Sequence, residues 1–290
     1  MDGVLVCDKP AGMTSHDLVA RVRRLAGQRR VGHGGTLDPP ATGVLVVALG
    51  RATRLLPFLP MEPKRYLARV VFGAETDTLD AAGAVTAATD AAGLDAAAVR
   101  AVLPRFRGRL QQVPPMVSAV KVGGERLYAK ARRGESVERA ARPVTVHALD
   151  LLDFEPGERP VATLAVTCSG GTYVRALAAD VARAAGSLAH LGALRRVAVG
   201  RFAERDAHPL AELEALAAAG GLAGAVLAPA AALGLQVRPL SAAEAAALGN
   251  GQSLPPSGLA DPVAALAPDG RLVAVIQDGD GRARPRVVLG

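Results

Sequence analysis

The chain has 290 residues, half of them hydrophobic but only 3% aromatic and none tryptophan, with 34 basic against 27 acidic side chains. That length is ample for a well-buried core in one large domain or two smaller ones. No run of 18 apolar residues is present to span a membrane, and Cys7 and Cys168 fit no metal or redox spacing, which points to reduced thiols in a cytosolic protein.

In chain order, "GVLVC" near the start predicts an apolar strand, too short and wrongly flanked for a signal peptide. "TSHDLVARVRRLAG" predicts a helix: Thr14 followed by Asp17 has the form of a capping box, Leu18, Val22 and Leu25 share one face, and Gly27 is a stop. The Gly/Pro-rich loop "VGHGGTLDPPATG" follows, then an apolar strand at about 43–49. "KRYLARVVFG" predicts a strand beginning at Tyr66, and a helix from about Asp95 to Leu103 presents Val99, Val102 and Leu103. The mixed segment 113–142 combines a short strand, a Gly-Gly turn and a basic helix near Leu127–Arg133.

Strands at about 143–154 and 161–168 lead into "CSGGTYVRALAADVARAAG", where Thr172 can open a helix whose first turn carries Tyr173 and Arg175. Leu194–Phe202 predicts another strand, and the Ala/Gly/Pro-rich residues 206–234 suggest a connector with one short amphipathic helix. Beyond it come a Ser241/Glu244 capping box and two apolar runs flanking an Asp269-Gly270 turn, a hairpin signal. Strands and helices in irregular order favour α+β over a doubly wound fold.

The excess positive charge lies entirely before residue 235, and 121–142 alone carries seven basic and three acidic side chains. Thirty of the basic residues are arginines, which suit bidentate phosphate recognition; a high-GC genome would produce the same bias. A patch of this kind favours a polyanion, nucleic acid first, although a solvated loop would also carry it.

For chemistry, "CSGGTYVR" lacks the Lys-Ser/Thr ending of a P-loop, the five histidines are scattered, and no G-x-S-x-G elbow is present. What is permitted is a cofactor-free enzyme built on a carboxylate. Asp38, between Leu37 and Pro39, is an ordinary turn residue unless Arg175 reaches it. An adjacent guanidinium keeps a part-buried carboxylate ionised, and an ionised carboxylate can act as a nucleophile. His33 could be a capping or core histidine, or could stack where a base has left a helix. Tyr66 and Tyr173 could be core residues, or could line a pocket for a base with hydroxyls available for proton traffic.

"GHGGTLDPPATGVLVVALGRATR" closely resembles the catalytic loop of the TruB family, tRNA pseudouridine synthases that modify uridine 55. "DKPAGMTSHD", "KRYLARVVFGAETDTLDAAG", "QVPPMVSAVKVGGERLYAKARRG", "RPVTVHAL" and "CSGGTYVRALAADVA…LRRVAVGRF" resemble further blocks of that family, in its order. The resemblance implies an α+β fold: a pseudouridine synthase catalytic domain over 1–205 with a mixed β-sheet flanked by helices, and a small PUA-like β module over 235–290. Residues 121–142 would be a basic insertion folded over RNA, and 206–234 the connector. It further implies an isomerase that flips out uridine 55 of the tRNA T-loop, detaches uracil and rejoins it through carbon 5, without metal or cofactor.

On the same resemblance Asp38, Tyr66 and Arg175 would be catalytic. Asp38 would attack the ribose anomeric carbon or first take a proton from the sugar, and the sequence leaves both routes open. Tyr66 would help remove the carbon-5 proton, and Arg175 would pair with the aspartate. His33 would fill the space left by the flipped base, Tyr173 and Leu194 would line the uracil pocket, and Lys64 joins them as a substrate-binding residue. The expected partner is tRNA, with no membrane, for a monomer in the cytoplasm. An RNA-binding or tRNA-folding protein without catalysis is the alternative. Gly34 stands where the family usually has Thr, and Pro40 where it usually has Leu, which changes the stiffness of the loop but replaces no catalytic group.

Overall fold

A computed structural model describes residues 1–118, 121–122, 124–127, 133, 135 and 137–289. The main elements are β1 (Gly3–Lys9), α1 (Ser15–Leu25), β2 (Val31–Gly34), β3 (Thr42–Leu49), β4 (Lys64–Phe72), α2 (Ala96–Val102) and β5 (Gly108–Gln112). They continue with β6 (Arg142–Glu155), β7 (Val161–Cys168), α3 (Val174–Ala184), β8 (Ala189–Val199) and α4 (Leu210–Ala218). The chain ends with β9 (Gln236–Pro239), α5 (Ala242–Gly249), β10 (Val263–Leu266), β11 (Leu272–Gly279) and β12 (Arg282–Val288). They form two compact units: one of Met1–Leu37, Val44–Pro60 and Arg205–Gly290, the other of Asp38–Gly43 and Met61–Glu204.

In the first unit, β1 pairs in parallel with His208–Pro209, and β2 pairs antiparallel with β3. The α1 start is the expected capping box: Thr14 Oγ1 accepts from the Asp17 N–H, and the Asp17 carboxylate accepts from the Thr14 N–H. Leu18 and Val22 of α1 pack on Leu5, Cys7, Leu45 and Val47. Residues 206–234, whose composition suggested a connector, contribute Leu213 and Leu222 to that same core. Lys9 is fully buried, and its ammonium donates to the Pro10 and Met13 carbonyls at 2.8 Å, closing the turn that leads into α1.

The C-terminal part of this unit is a four-stranded sheet in the order β9–β10–β11–β12, with β9 and β10 parallel and the rest antiparallel. The expected hairpin joins β10 to β11, with Gly270 at φ +81 in its turn. Ser241 and Glu244 cap α5 reciprocally, and Leu248 of that helix packs on Val263 and Ile276.

The second unit is built on strands in the order β8–β4–β7–β6–β5, each antiparallel to its neighbour. Thr42 and Gly43 run parallel to Arg195 and Arg196 of β8, so the sheet is mixed. β4 alternates along its length: Tyr66, Ala68, Val70 and Phe72 are buried, while Arg65, Leu67 and Arg69 face water. α3 is buried along most of its length, as Ala-rich helices packed closely on a sheet can be.

Three local expectations are corrected. The strand expected over Leu194–Phe202 starts at Ala189 and stops at Val199, because Gly200 at φ +54 turns the chain into a hairpin with Phe202–Ala203. The N-cap of α3 is Tyr173 and not Thr172, and no side chain of its own caps it. Gln112 of β5 serves instead, its amide carbonyl accepting from the Tyr173 N–H at 2.8 Å while its NH2 donates to the Tyr173 carbonyl at 3.1 Å. β4 begins two residues before Tyr66, at Lys64. Lys121–Val122 pairs antiparallel with Glu125–Arg126, whereas Gly123 of the expected Gly-Gly turn and residues 128–132 of the basic helix expected near Leu127–Arg133 fall outside the described residues.

Candidate active site

The Asp38 loop is held at one end by a side chain and at the other by backbone. Leu37 is buried, and its N–H donates to Ser15 Oγ at 2.9 Å, while that hydroxyl donates to the Leu37 carbonyl. The Ala41 N–H then donates to the Asp38 carbonyl, so Asp38-Pro39-Pro40-Ala41 is a closed turn. Pro39 and Pro40 lack N–H groups, which leaves the turn few other conformations. The Asp38 side chain stays 38% exposed at its tip.

Arg175, in the first turn of α3, is 3% exposed, and its guanidinium reaches four partners. Nε lies 2.9 Å from Asp38 Oδ2 and Nη1 lies 3.6 Å from Asp80 Oδ2. Nη1 also donates to the Thr78 carbonyl at 2.6 Å and Nη2 to the Val117 carbonyl at 2.8 Å. A rigid planar fork is the side chain that can serve so many acceptors at once. Burying one charge between two carboxylates also limits the cost of removing it from water.

Asp80 is itself held on both sides. Its Oδ1 accepts from Thr78 Oγ1 at 2.7 Å and from the Ala82 N–H at 3.0 Å, and its carbonyl accepts from Thr76 Oγ1. Leu79, at φ +59, is one of the few non-glycine residues in the left-handed region, and this bend lets Leu79 and Ala81 exchange backbone hydrogen bonds with Leu191. A pocket of about 290 Å3, open to solvent, lies against these groups, with Asp38, Pro40, Asp80, Arg175, Leu191 and Leu194 among its lining.

Tyr66 is 7% exposed on β4, with Arg196 of β8 as its direct cross-strand neighbour. Burial pushes the phenol above its ordinary value; a hydrogen bond from the Arg196 guanidinium and its charge oppose that, while Asp38 and Cys168 add to it. Arg196 is 0% exposed, and burial pulls its ionisation down. Lys64 shares the inward face of β4, and burial first, then the nearby Arg196, lowers its ionisation. Gly43, at φ +102, lets the end of the Asp38 segment lie against β8: a Cβ there would sit 2.3 Å from the Arg196 carbonyl oxygen.

Of the residues singled out from the sequence, Asp38, Arg175 and Leu194 meet in one pocket, and Tyr66 lies close enough to feel the Asp38 charge. Tyr173 caps the helix that carries Arg175. His33 lies on β2 in the first unit, edge-on to His16 with ring centroids 5.3 Å apart. Asp80 and Arg196 were not singled out. Asp80 is one of several carboxylates in "ETDTLDAAG", and nothing local marks it. Arg196 did carry a signal: strand alternation puts it on the same face as Leu194, with Arg195 opposite.

Comparisons with known proteins identify the family. Residues 23–174 match the model of the TruB family pseudouridylate synthase N-terminal domain, and residues 235–290 match that of the tRNA pseudouridine synthase II C-terminal domain. The chain is 48% identical over 293 aligned residues to the "tRNA pseudouridine synthase B" of Thermobifida fusca, covering 99% of this chain and 98% of that one. It is 45% identical to the protein of the same name from Mycobacterium tuberculosis strain H37Rv, covering 99% and 95%. Among solved structures, a Cbf5-Nop10-Gar1 complex matches with a TM-score of 0.72 at 26% identity, covering 99% of this chain and 85% of that one. Fold and sequence therefore make the chain an enzyme of the pseudouridine synthase class. Within that class it belongs to the TruB family.

Proposed function

We propose that the enzyme converts uridine 55 in the T-loop of tRNA to pseudouridine, with Asp38 as the catalytic carboxylate. The observation that carries this reading is the contact of Asp38, at the mouth of an open pocket, with the buried guanidinium of Arg175. Both relatives above bear the name tRNA pseudouridine synthase B, which supports tRNA as the substrate.

The target base must leave its stack to reach Asp38. Unstacking costs on the order of a few kcal/mol, and a base–aromatic stack returns roughly 1–3. Arg175 holds Asp38 in place and compensates its charge, so the carboxylate oxygen that faces the pocket is free to act at the ribose. Whether it attacks the anomeric carbon or removes a proton from the sugar, the bond from that carbon to N1 breaks and one to carbon 5 forms. Carbon 5 then gives up its proton, and N1 gains one. Leu194 and Leu191 supply apolar wall, and Tyr66 sits on the proton side of the exchange. His33, Tyr173 and Lys64 complete the substrate contacts in this reading, with residues 1–205 as the catalytic domain and 235–290 as a module that adds contacts to the RNA. The enzyme would act as a monomer in the cytoplasm.

The test is tritium release from carbon-5-labelled uridine in a T-arm hairpin, with uridine 55 as the only labelled position. Wild type should release it, and Asp38→Asn should lose release by at least about 10³-fold while still binding the hairpin. Release by Asp38→Asn at the wild-type rate would overturn the assignment of Asp38. No release by the wild type would overturn the substrate.

A further inference from the structure

The first turn of α3 carries Arg175, yet its N-cap residue Tyr173 gives that turn no side-chain cap. Gln112, at the end of β5, reaches across to supply one. Its side-chain oxygen accepts from the Tyr173 N–H at 2.8 Å, and its NH2 donates to the Tyr173 carbonyl at 3.1 Å. The same carbonyl accepts from the Leu177 N–H at 3.0 Å, so it is already part of the helix. A Ser, Thr, Asp or Asn cap satisfies one backbone donor and fixes a helix only against its own preceding turn. An amide that grips the N–H and the C=O of one residue fixes both where the helix starts and how it is directed. Gln112 is buried and pairs with Arg142 of β6, so the other end of the grip is the sheet.

The segment after Gln112 touches the same turn a second time. At its far end the Val117 carbonyl accepts from Arg175 Nη2 at 2.8 Å. Between the two anchor points lie Pro114 and Pro115, both buried, and proline fixes φ and removes an N–H. Gln112 thus holds the backbone of α3 at Tyr173, and the stiff span beyond it receives the tip of the side chain two residues later. That side chain places its Nε 2.9 Å from Asp38 Oδ2.

We propose that Gln112 is a positioning residue for the isomerisation: by clamping the N–H and C=O of Tyr173 it sets where α3 begins, and so holds the Arg175 guanidinium where it orients Asp38. The proposal rests on the reading of Asp38 given above. Positioning of this kind governs rate more than affinity, because a shift of about 1 Å at a reacting group can cost roughly 10²-fold. The amide is also neutral, so the clamp adds no further carboxylate to a turn whose arginine already serves Asp38 and Asp80.

Gln112→Met keeps the length of the side chain and removes both hydrogen bonds. The chain has three tyrosines, so 15N-tyrosine labelling resolves few amide signals, and Tyr173→Phe identifies the one from Tyr173. In Gln112→Met that amide should exchange with solvent about 10-fold faster, as expected for a lost hydrogen bond. With 15N-arginine, the Nε–H signal of the buried Arg175 is identified by its loss in Arg175→Lys. It should shift in Gln112→Met, as it does in Asp38→Asn, because both changes alter one contact. Turnover of the T-arm hairpin by Gln112→Met should show kcat lowered about 10-fold with KM nearly unchanged.

An unmoved Arg175 Nε–H signal in folded Gln112→Met would overturn the proposal, because a cap that only stabilises the helix leaves the Asp38 contact in place. An unchanged kcat, or an effect confined to KM, would overturn it as well. If Gln112→Met fails to fold, Gln112→Asn, which keeps the amide on a shorter arm, carries both readouts, and an unmoved signal or an unchanged kcat there overturns the proposal in the same way. The spectra need no substrate, so they stand apart from the tritium-release test: an inactive wild type refutes the uridine-55 reading and leaves the Gln112–Arg175 result to be judged alone.

Discussion

Among the described residues the second unit buries two arginines, in different settings. Arg175 sits between two carboxylates and donates to two carbonyls, so its charge is compensated and its geometry is over-determined. Arg196 lies across the strand pair from Tyr66 and is buried more completely. The first arrangement fixes the position of Asp38, whereas at the second burial disfavours the charged forms of both Tyr66 and Arg196. Burial alone therefore does not tell the role of an arginine.

The largest expected effect tests the Arg175 side of that contrast. Arg175→Met leaves the buried Asp80 and its neighbour Asp38 without their shared cation, and should cost on the order of 3–5 kcal/mol of unfolding free energy in urea. Isomerisation should be lost with it. A loss of stability below about 1 kcal/mol would break the comparison, since removing a cation shared by two carboxylates strands both.

Gly43→Ala comes next and sharpens the Arg196 side. A Cβ there meets the Arg196 carbonyl oxygen at 2.3 Å, and φ +102 is unfavourable for alanine. The unfolding midpoint in urea should fall by the equivalent of about 2 kcal/mol, and turnover should fall because the Asp38 segment and the Arg196 strand are forced apart.

The two buried thiols test burial of groups that are neutral when protonated. Burial pushes Cys7 up to about 12 and Cys168 up to about 11, although Thr172 and Lys64 lower the latter. Native protein at pH 8 should react with a thiol reagent orders of magnitude more slowly than unfolded protein, with Cys168 reacting before Cys7. Reaction of Cys7 ahead of Cys168 would contradict that order.

Thr14→Ala, in the first unit, sets the bottom of the scale at about 1 kcal/mol for a lost helix cap. It also carries a pH signature. The Thr14 hydroxyl and N–H hold the Asp17 carboxyl below its ordinary 3.8. A depressed carboxyl contributes stability above its unfolded value and loses it as pH falls through the folded one. Wild type should therefore lose more stability than Thr14→Ala on acidification below about pH 4, so the two unfolding curves converge.

Much of the fold was legible because it is local. The α1 capping box, the alternation of β4, the Asp269-Gly270 hairpin and the α5 cap are written in residues a few positions apart. Asp38 and Arg175 were legible as candidates, since a carboxylate in a Pro-flanked turn and an arginine at a helix start are local features. The start of α3 was misplaced by one residue because its cap comes from Gln112, 61 positions away. Asp80 was missed for the same reason: its partner Arg175 is distant in sequence, and the left-handed Leu79 that presents it has no local signal. The core role of Leu213 and Leu222 was hidden by an Ala/Gly-rich setting that looks like a linker.

By itself, then, the sequence determined most of the elements, the charge asymmetry, the family and a candidate carboxylate, since each depends on periodicity, caps or ordered blocks. Only the tertiary structure decided that Arg175 is shared between Asp38 and Asp80, and that a second arginine is buried against Tyr66. Those are contacts between strands, loops and a helix far apart in the chain. Their energy depends on distance and desolvation, which exist only once the chain is folded.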